Sequence, residues 1–303
     1  MSTIERVAQL LGSVPQTQQK PSGATEGAGN LEPDLIERAA SDISLRRGIS
    51  EDKSARPAGS TTRTLKVDRD RLRQQSMIMP DGERTAIAES FRHIKRKILA
   101  NAASSRAGAP PANLVLVTSA LPGEGKTFCA INLAISIALE KNRTVLLVDG
   151  DVAKPSIPQA LGLEADKGLM EVLLDRRVDL AEVLWKTDIG RLALLPVGAP
   201  NKHATELLGS DAMRGLLHEM AKRYHDRIII FDSPPLLAAS EAGALASQMG
   251  QIIVVVEAGK TSEAALKEAL SRIESSNIAG LLLNKGEDSG LRYDYGGYGY
   301  GAG

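Results

Sequence analysis

Cysteine is almost missing from this chain of 303 residues: the single one, Cys129, falls inside an apolar stretch, so nothing points to disulfides or export, and its expected fate is burial as a small hydrophobe. An excess of charge is missing as well. The 37 basic and 37 acidic side chains cancel, so no global field draws the protein to nucleic acid or to an anionic membrane, and no nucleic-acid partner is expected. Long apolar runs are absent too. The N-terminus has no signal core, and no stretch approaches the ~20 apolar residues that span a bilayer. The longest candidate, residues 128–139, is interrupted by Asn132 and Ser136, and the expectation is a cytoplasmic chain. Aromatics are scarce at 3%, yet four of the five tyrosines, Tyr293, Tyr295, Tyr298 and Tyr300, crowd into the last eleven residues. The glycines between them forbid a stable helix or packed strand, so these rings are not there to build a core.

The length allows two average domains, but the turn-rich, weakly apolar first third argues for one core behind a leader. Residues 1–64 read as a low-complexity leader with short amphipathic helices near 2–11 and 34–47. Residues 65–285 form the core domain, and 286–303 a disordered Tyr/Gly-rich tail. Residues 85–100 read as a helix with Ile87, Phe91, Ile94 and Ile98 on one side and Glu89, Arg92, Lys95, Arg96 and Lys97 on the other, placed for pairing within or between subunits.

From there strand-like and helix-like segments alternate. Strands are expected at 114–119, 144–149, 192–196, 228–232, 252–257 and 280–283, and helices at 126–140, 168–174, 211–224, 240–246 and 262–275. Continuous runs such as VLLVD, RIIIFD and IIVVVE suit strands buried on both faces. The predicted fold is therefore α/β: a doubly wound, mostly parallel sheet, with ligands at the carboxyl ends of its strands.

The sequence LVLVTSALPGEGKTF, residues 114–128, has the layout of a P-loop and makes the expected sheet one of the P-loop NTPase type. A buried strand stops at Pro122, Gly123, Glu124 and Gly125, and Lys126-Thr127-Phe128 opens an apolar helix. Backbone N–H groups of such a turn cradle phosphates, the lysine reaches the β/γ-phosphates, and the threonine hydroxyl meets Mg²⁺. Ala120 stands where the usual pattern has its first glycine, and is small enough for the turn to close. Two further strands end in acid: Asp149 and Asp151 after one, Asp232 after the other. In a parallel sheet these meet the P-loop, where they can hold Mg²⁺ or accept a proton from an attacking hydroxyl. Thr127, Asp149 and Asp232 are the candidate metal residues, and Lys126, Asp149, Asp151 and Asp232 the candidate catalytic set. Asp149 and Asp151 both remain open as the base. Lys154 could offer charge to phosphate, and Asn284, ending the last apolar strand, could read a base. Beside such a site, the tail tyrosines suggest phosphoryl acceptors.

Together these residues resemble the bacterial tyrosine kinases of exopolysaccharide loci, most closely the cytoplasmic autokinase type linked to exosortase/PEP-CTERM loci. The likeness runs from about residue 67 to the end. ALPGEGKT is similar to that family's Walker A, VLLVDGDVAKP to its Walker A′, IIIFDSPP to its Walker B, and Glu89-x-x-Arg92-x-x-Lys95 to the element through which its members assemble into rings. ELLGSDAM and GLLLNK resemble further family segments. The chain departs from the pattern at Lys95, where an Arg is usual, at Ala153, where a basic residue is usual, and at Glu241, where an Asp is common. The resemblance implies an ATP- and Mg²⁺-dependent protein-tyrosine autokinase that phosphorylates its own C-terminal cluster and regulates exopolysaccharide synthesis and export. It also implies a ring-like homo-oligomer, a membrane polysaccharide co-polymerase whose cytoplasmic segment recruits and activates the kinase at the inner membrane, and a tyrosine phosphatase.

A rival reading comes from the partition and septum-site ATPases, switch ATPases without tyrosine kinase activity. Ser119-Ala120-Leu121 lacks the lysine those proteins carry early in the P-loop, and no amphipathic helix is expected after Lys285. A second rival is a nucleotide-binding interaction module whose tail is a docking peptide.

Overall fold

The structure, a computed structural model, describes residues 64–104, 109–273 and 277–286. The expected leader helices and the four tail tyrosines lie outside the described residues. Along the chain the elements are β1 (Thr64–Leu65), α1 (Arg69–Gln74), α2 (Ala86–Ala102), β2 (Leu114–Ser119), α3 (Lys126–Ala138), β3 (Thr144–Asp149), α4 (Ile157–Leu161), α5 (Leu169–Leu174), α6 (Leu180–Val183), β4 (Trp185–Thr187), β5 (Leu192–Leu195), α7 (Ala204–Leu208), α8 (Asp211–Arg223), β6 (Arg227–Asp232), α9 (Ser240–Ala246), β7 (Gln251–Glu257), α10 (Glu263–Ser271) and β8 (Ile278–Asn284).

The strands form one sheet in the order β1-β4-β5-β3-β6-β2-β7-β8. From β5 to β8 every neighbouring pair is parallel. At the other end β4 turns back antiparallel to β5, and β1 follows β4. The apolar runs are buried throughout β2, β5 and nearly all of β3 and β6, as strands covered on both faces must be. Alternate residues divide the faces: Val115, Val117, Val145, Leu147, Ile228 and Ile230 join the cluster that contains α3. Leu114, Leu116, Leu146, Val148, Ile229 and Phe231 are equally buried between them.

Helix α3 is buried on almost every side, between the sheet and α2, which explains why its sequence is apolar all round rather than along one stripe. Of the two polar residues that interrupt it, Asn132 has a structural duty in its side chain and Ser136 one in its backbone. Asn132, fully buried, accepts from Ile78 N–H at 2.7 Å and donates to the Phe128 carbonyl at 2.8 Å, and the Ser136 carbonyl accepts from Lys95 Nζ at 3.1 Å. Helix α2 starts at Thr85, whose hydroxyl accepts from Ala88 N–H at 3.2 Å, and it buries Phe91 and Ile98 as its spacing predicts. Its far end is tied by Gln251, which donates to the carbonyls of Ile98 and Ala112.

Several boundaries differ from the sequence expectation. Helix α3 stops at Ala138, and α10 stops at Ser271 with Arg272 as its cap, each four residues early or less. The last strand starts at Ile278, two residues before Gly280. The elements not anticipated are β1, β4, α1, α4, α6 and α7, all of six residues or fewer and too short for periodicity to register.

Candidate functional site

Parallel pairing brings the carboxyl ends of β2, β3, β6 and β8 to one edge of the sheet, and the P-loop closes there. Gly123 and Gly125 sit at φ of 87° and 94°, in the left-handed region that glycine alone adopts without strain. A Cβ on Gly125 would stand 2.0 Å from Asn284 Nδ2, so the close approach of β8 also demands glycine. A Cβ on Gly123 would meet open space, which leaves that stretch of loop facing outward over the start of α3. Helix α3 begins immediately at Lys126 with no side-chain cap, so its first N–H groups are available to an anion.

The loop is braced from three directions. The Glu124 carboxylate is buried: it accepts from Leu121 N–H at 2.8 Å and from the Thr261 hydroxyl. Asn284 Nδ2 donates to the Glu124 carbonyl at 2.9 Å, and Lys285 Nζ donates to the Gly123 carbonyl at 2.7 Å. Glu124 therefore serves the loop through its side chain, while only its backbone faces the cradle. Thr261 was invisible to motif reading, because it lies 137 positions away in a loop with no pattern of its own.

The acids converge as the strand ends predict. Asp149 and Asp232 are register partners on β3 and β6, and Gly150 N–H donates to the Asp232 carbonyl at 2.8 Å, locking the two ends together. Lys126 Nζ lies 2.6 Å from Asp151 Oδ2 and 3.8 Å from Asp232 Oδ1. The Thr127 hydroxyl donates to Asp232 Oδ2 at 2.6 Å. Asp149 Oδ2 accepts from the N–H groups of Ser156 and Ile157, both at 3.0 Å. Ser156, which sequence reading did not single out, also stands 3.2 Å from the Thr127 hydroxyl.

Electrostatics follow from this crowding. Burial pushes the Asp232 carboxyl up to about 7 against the pull of the Lys126 ammonium, with repulsion from Asp149 adding to the rise. Burial likewise pushes Asp149 up to about 6, against its N–H bonds and with Asp151 repelling. Burial works to lower the Lys126 pKa, but Asp232, Asp151 and Asp149 outweigh it and hold the ammonium above its usual range. Asp149 Oδ1 and Asp232 Oδ1 are buried without a hydrogen-bond partner. Two orphaned carboxylate oxygens beside a threonine hydroxyl are the donor set a Mg²⁺ ion takes. Among the described residues no cluster of three or more His, Cys, Asp or Glu is arranged around a metal, and Mg²⁺ needs none, since it is commonly held by one or two carboxylates, waters and phosphate oxygens.

Other candidates fall outside this cluster. Lys154 is exposed, and its backbone N–H, rather than its ammonium, meets Asp151. Phe128 packs partly against the core. On α2, Arg92 pairs with Glu89 along the helix, whereas Lys95 is turned into the chain and ion-pairs with Glu140 at 2.9 Å. No helix among the described residues is long and apolar enough to cross a membrane.

The AAA domain family matches residues 113–279. Among curated proteins, the tyrosine-protein kinase YwqD of Bacillus subtilis (strain 168) is 35% identical over 188 residues, covering 61% of this chain and 77% of the relative. The succinoglycan biosynthesis transport protein ExoP of Rhizobium meliloti (strain 1021) is 32% identical over 220 residues, covering 69% of this chain. The chain spans only 26% of that longer relative. Among solved structures, the kinase domain of the Escherichia coli tyrosine kinase ETK superposes with a TM-score of 0.59 at 27% identity, covering 69% of this chain and 80% of that one.

Proposed function

Because this chain belongs to the AAA domain family, and within it to the bacterial tyrosine-protein kinases, we propose that it is an ATP- and Mg²⁺-dependent tyrosine autokinase acting on Tyr293, Tyr295, Tyr298 and Tyr300. The observation that carries this reading is the convergence of Lys126, Thr127, Asp149, Asp151 and Asp232 at the open start of α3. That is the equipment for moving a phosphoryl group, and a tyrosine-rich tail is the acceptor at hand.

In the proposed reaction the phenol oxygen of a tail tyrosine forms a bond to the γ-phosphorus of ATP as the β,γ-bridging P–O bond breaks. ADP departs with that electron pair, and the phenol proton passes to a carboxylate. Lys126 and the N–H groups of residues 123 to 128 would hold the phosphates, and Asn284 would lie on the base side. Thr127, Asp149 and Asp232 would hold Mg²⁺, which when bound supplies positive charge to the phosphate oxygens. Asp151 is the better base of the two acids after β3. It keeps 5% of its surface exposed and would be freed for that role once Lys126 turns to the phosphates, whereas Asp149 is wholly buried with one oxygen committed to two N–H groups.

The relatives support a role in exopolysaccharide synthesis or export. The proposal extends, on the resemblance of the sequence motifs, to recruitment by a membrane co-polymerase at the inner membrane, assembly of copies through Glu89, Arg92 and Lys95, and reversal by a tyrosine phosphatase. Lys95 is spent partly on Glu140 within its own chain, so Glu89 and Arg92 would carry most of any contact between copies.

The test is to incubate the purified protein with ATP and Mg²⁺, beside Lys126→Met, and map phosphopeptides. Phosphate on the tail tyrosines in wild type alone supports the kinase. ATP hydrolysis without phosphotyrosine, in the presence of the partner's cytoplasmic segment, would favour a switch ATPase instead.

A further inference from the structure

Helix α4 has five residues, too few to persist on local propensity, so ties at its two ends must hold it. At its start the cap residue Ser156 makes no side-chain cap bond. Asp149, seven and eight positions before the donors, takes that place: its Oδ2 accepts from the N–H groups of Ser156 and Ile157, and its Oδ1 is left without a hydrogen-bond partner. The bonds act both ways. Asp149 caps α4, and α4 orients the Asp149 carboxylate. The Ser156 hydroxyl also stands 3.2 Å from that of Thr127, so the same helix start meets two of the candidate metal residues.

The other end of α4 is held by α1 and its caps, Asp68 and Gln75. Arg71 Nη1 donates to the Gln159 carbonyl at 2.5 Å, Gln75 Nε2 to the Ala160 carbonyl at 3.0 Å, and Asp68 N–H to the Leu161 carbonyl at 3.1 Å. Gly162 and Leu163 turn back on Gln159 and Pro158 as an ordinary helix end does, and the α1 bonds come in addition. The approach is close: a Cβ on Gly162, at φ 69°, would stand 2.6 Å from Asp68 Cβ. Leu72, Ile157 and Leu161 are buried in the core cluster, whereas Arg71 is exposed and Gln75 half-buried, so neither polar side chain is there to fill the core. A helix of about 7 Å, gripped by α1 at one end and by a carboxylate of the acid cluster at the other, passes a displacement from end to end.

We propose that Arg71 and Gln75 are positioning residues: by holding the carboxyl end of α4 they keep its first N–H groups on Asp149 Oδ2, and so keep Asp149 in place for Mg²⁺. The proposal rests on the reading of Asp149 as a metal residue and adds to it two side chains that act only through α4. Its sign separates it from plain electrostatics. Removing a cation near a metal site lessens repulsion and tightens metal binding, whereas loosening the brace weakens it.

In the experiment the full chain, saturated with ADP, is titrated with Mn²⁺, and free Mn²⁺ is read by electron paramagnetic resonance. Arg71→Ala and Gln75→Ala are each expected to bind Mn²⁺ about fivefold more weakly, or worse. Arg71→Lys, which can still donate to the Gln159 carbonyl, should restore the affinity. Arg73→Ala, the same loss of charge on a residue paired with Asp70, should bind like wild type. ADP affinity in EDTA, read by calorimetry, should be the same in all of them. In the metal- and nucleotide-free protein the amides of Ser156 and Ile157 should exchange with deuterium about tenfold faster in Arg71→Ala, while those of α8 keep the wild-type rate. Tighter Mn²⁺ binding in Arg71→Ala, a parallel loss of ADP affinity in EDTA, no rescue by Arg71→Lys, or unchanged amide exchange overturns the proposal. Asp149→Asn separates it from the reading beneath. Mn²⁺ affinity lost there but kept in Arg71→Ala sinks the brace and keeps the metal residue. Affinity kept in both, with faster exchange in Arg71→Ala, sinks Asp149 as a metal residue and keeps the brace.

Discussion

The side-chain amide of Asn284 donates to the Glu124 carbonyl across 2.9 Å, bolting the last strand of the sheet to a phosphate loop 160 positions earlier. Loop geometry and sheet edge are thus one mechanical unit, and the tightest point in it is Gly125.

Gly125→Ala should therefore fail as a binder. Its Cβ would stand 2.0 Å from Asn284 Nδ2 on a backbone at φ 94°, so both the loop and β8 must shift. Calorimetric titration with Mg-ATP is expected to show at least a tenfold loss of affinity, roughly 1.4 kcal/mol or more. Asn284→Ala, which removes the tie without the clash, should lose less.

Asp232→Asn is expected to raise the melting temperature of the metal-free protein while abolishing phosphoryl transfer. The ionised carboxylate is disfavoured by burial and by Asp149, and an amide oxygen can still accept from Thr127. A melting temperature lower than wild type in EDTA would show that the Lys126 attraction outweighs the burial cost.

The same two acids set a pH dependence. Asp149 and Asp232 are held near about 6 and about 7, above their ordinary carboxyl values. The folded state therefore binds more protons than the unfolded chain between pH 4 and 7, and stability falls as pH rises through that window. Chemical denaturation of the metal- and nucleotide-free protein should give a higher midpoint at pH 5.5 than at pH 8. Saturating Mg-ATP should flatten the difference, because bound cation favours the ionised acids.

Asn132→Leu keeps the size of a side chain inside α3 but leaves the Ile78 N–H without its acceptor. The cost is about 1–3 kcal/mol, seen as a lowered denaturation midpoint. Cys129 is buried with its thiol pushed up to about 12, chiefly by burial, so alkylation of the native protein should be slow and should track global unfolding.

The central strands and the long helices were plain in the sequence because runs such as RIIIFD and the spacing of Ile87, Phe91, Ile94 and Ile98 state local rules that tertiary structure did not override. The acid cluster was legible for the same reason: parallel strands leave little freedom about where Asp149 and Asp232 end up. What escaped was set by contacts between distant segments. Trp185 to Thr187 are a strand because β5 and β1 lie beside them, and Ser156 matters because it meets Thr127 and Asp149. Lys95 looked like one of a surface row, and its inward turn depends on Glu140 and the Ser136 carbonyl on a neighbouring helix end.

The strand order has a consequence during synthesis. Val115 on β2 pairs with Ile230 on one side and Gln251 on the other, so the strand that carries the phosphate loop is made about 115 residues before its earlier partner. At ~5–20 residues per second that is a wait of roughly 6–23 s beside the ribosome. Throughout it a strand that opens Leu-Val-Leu-Val has both edges open to mispairing, until β6 emerges to cover one of them.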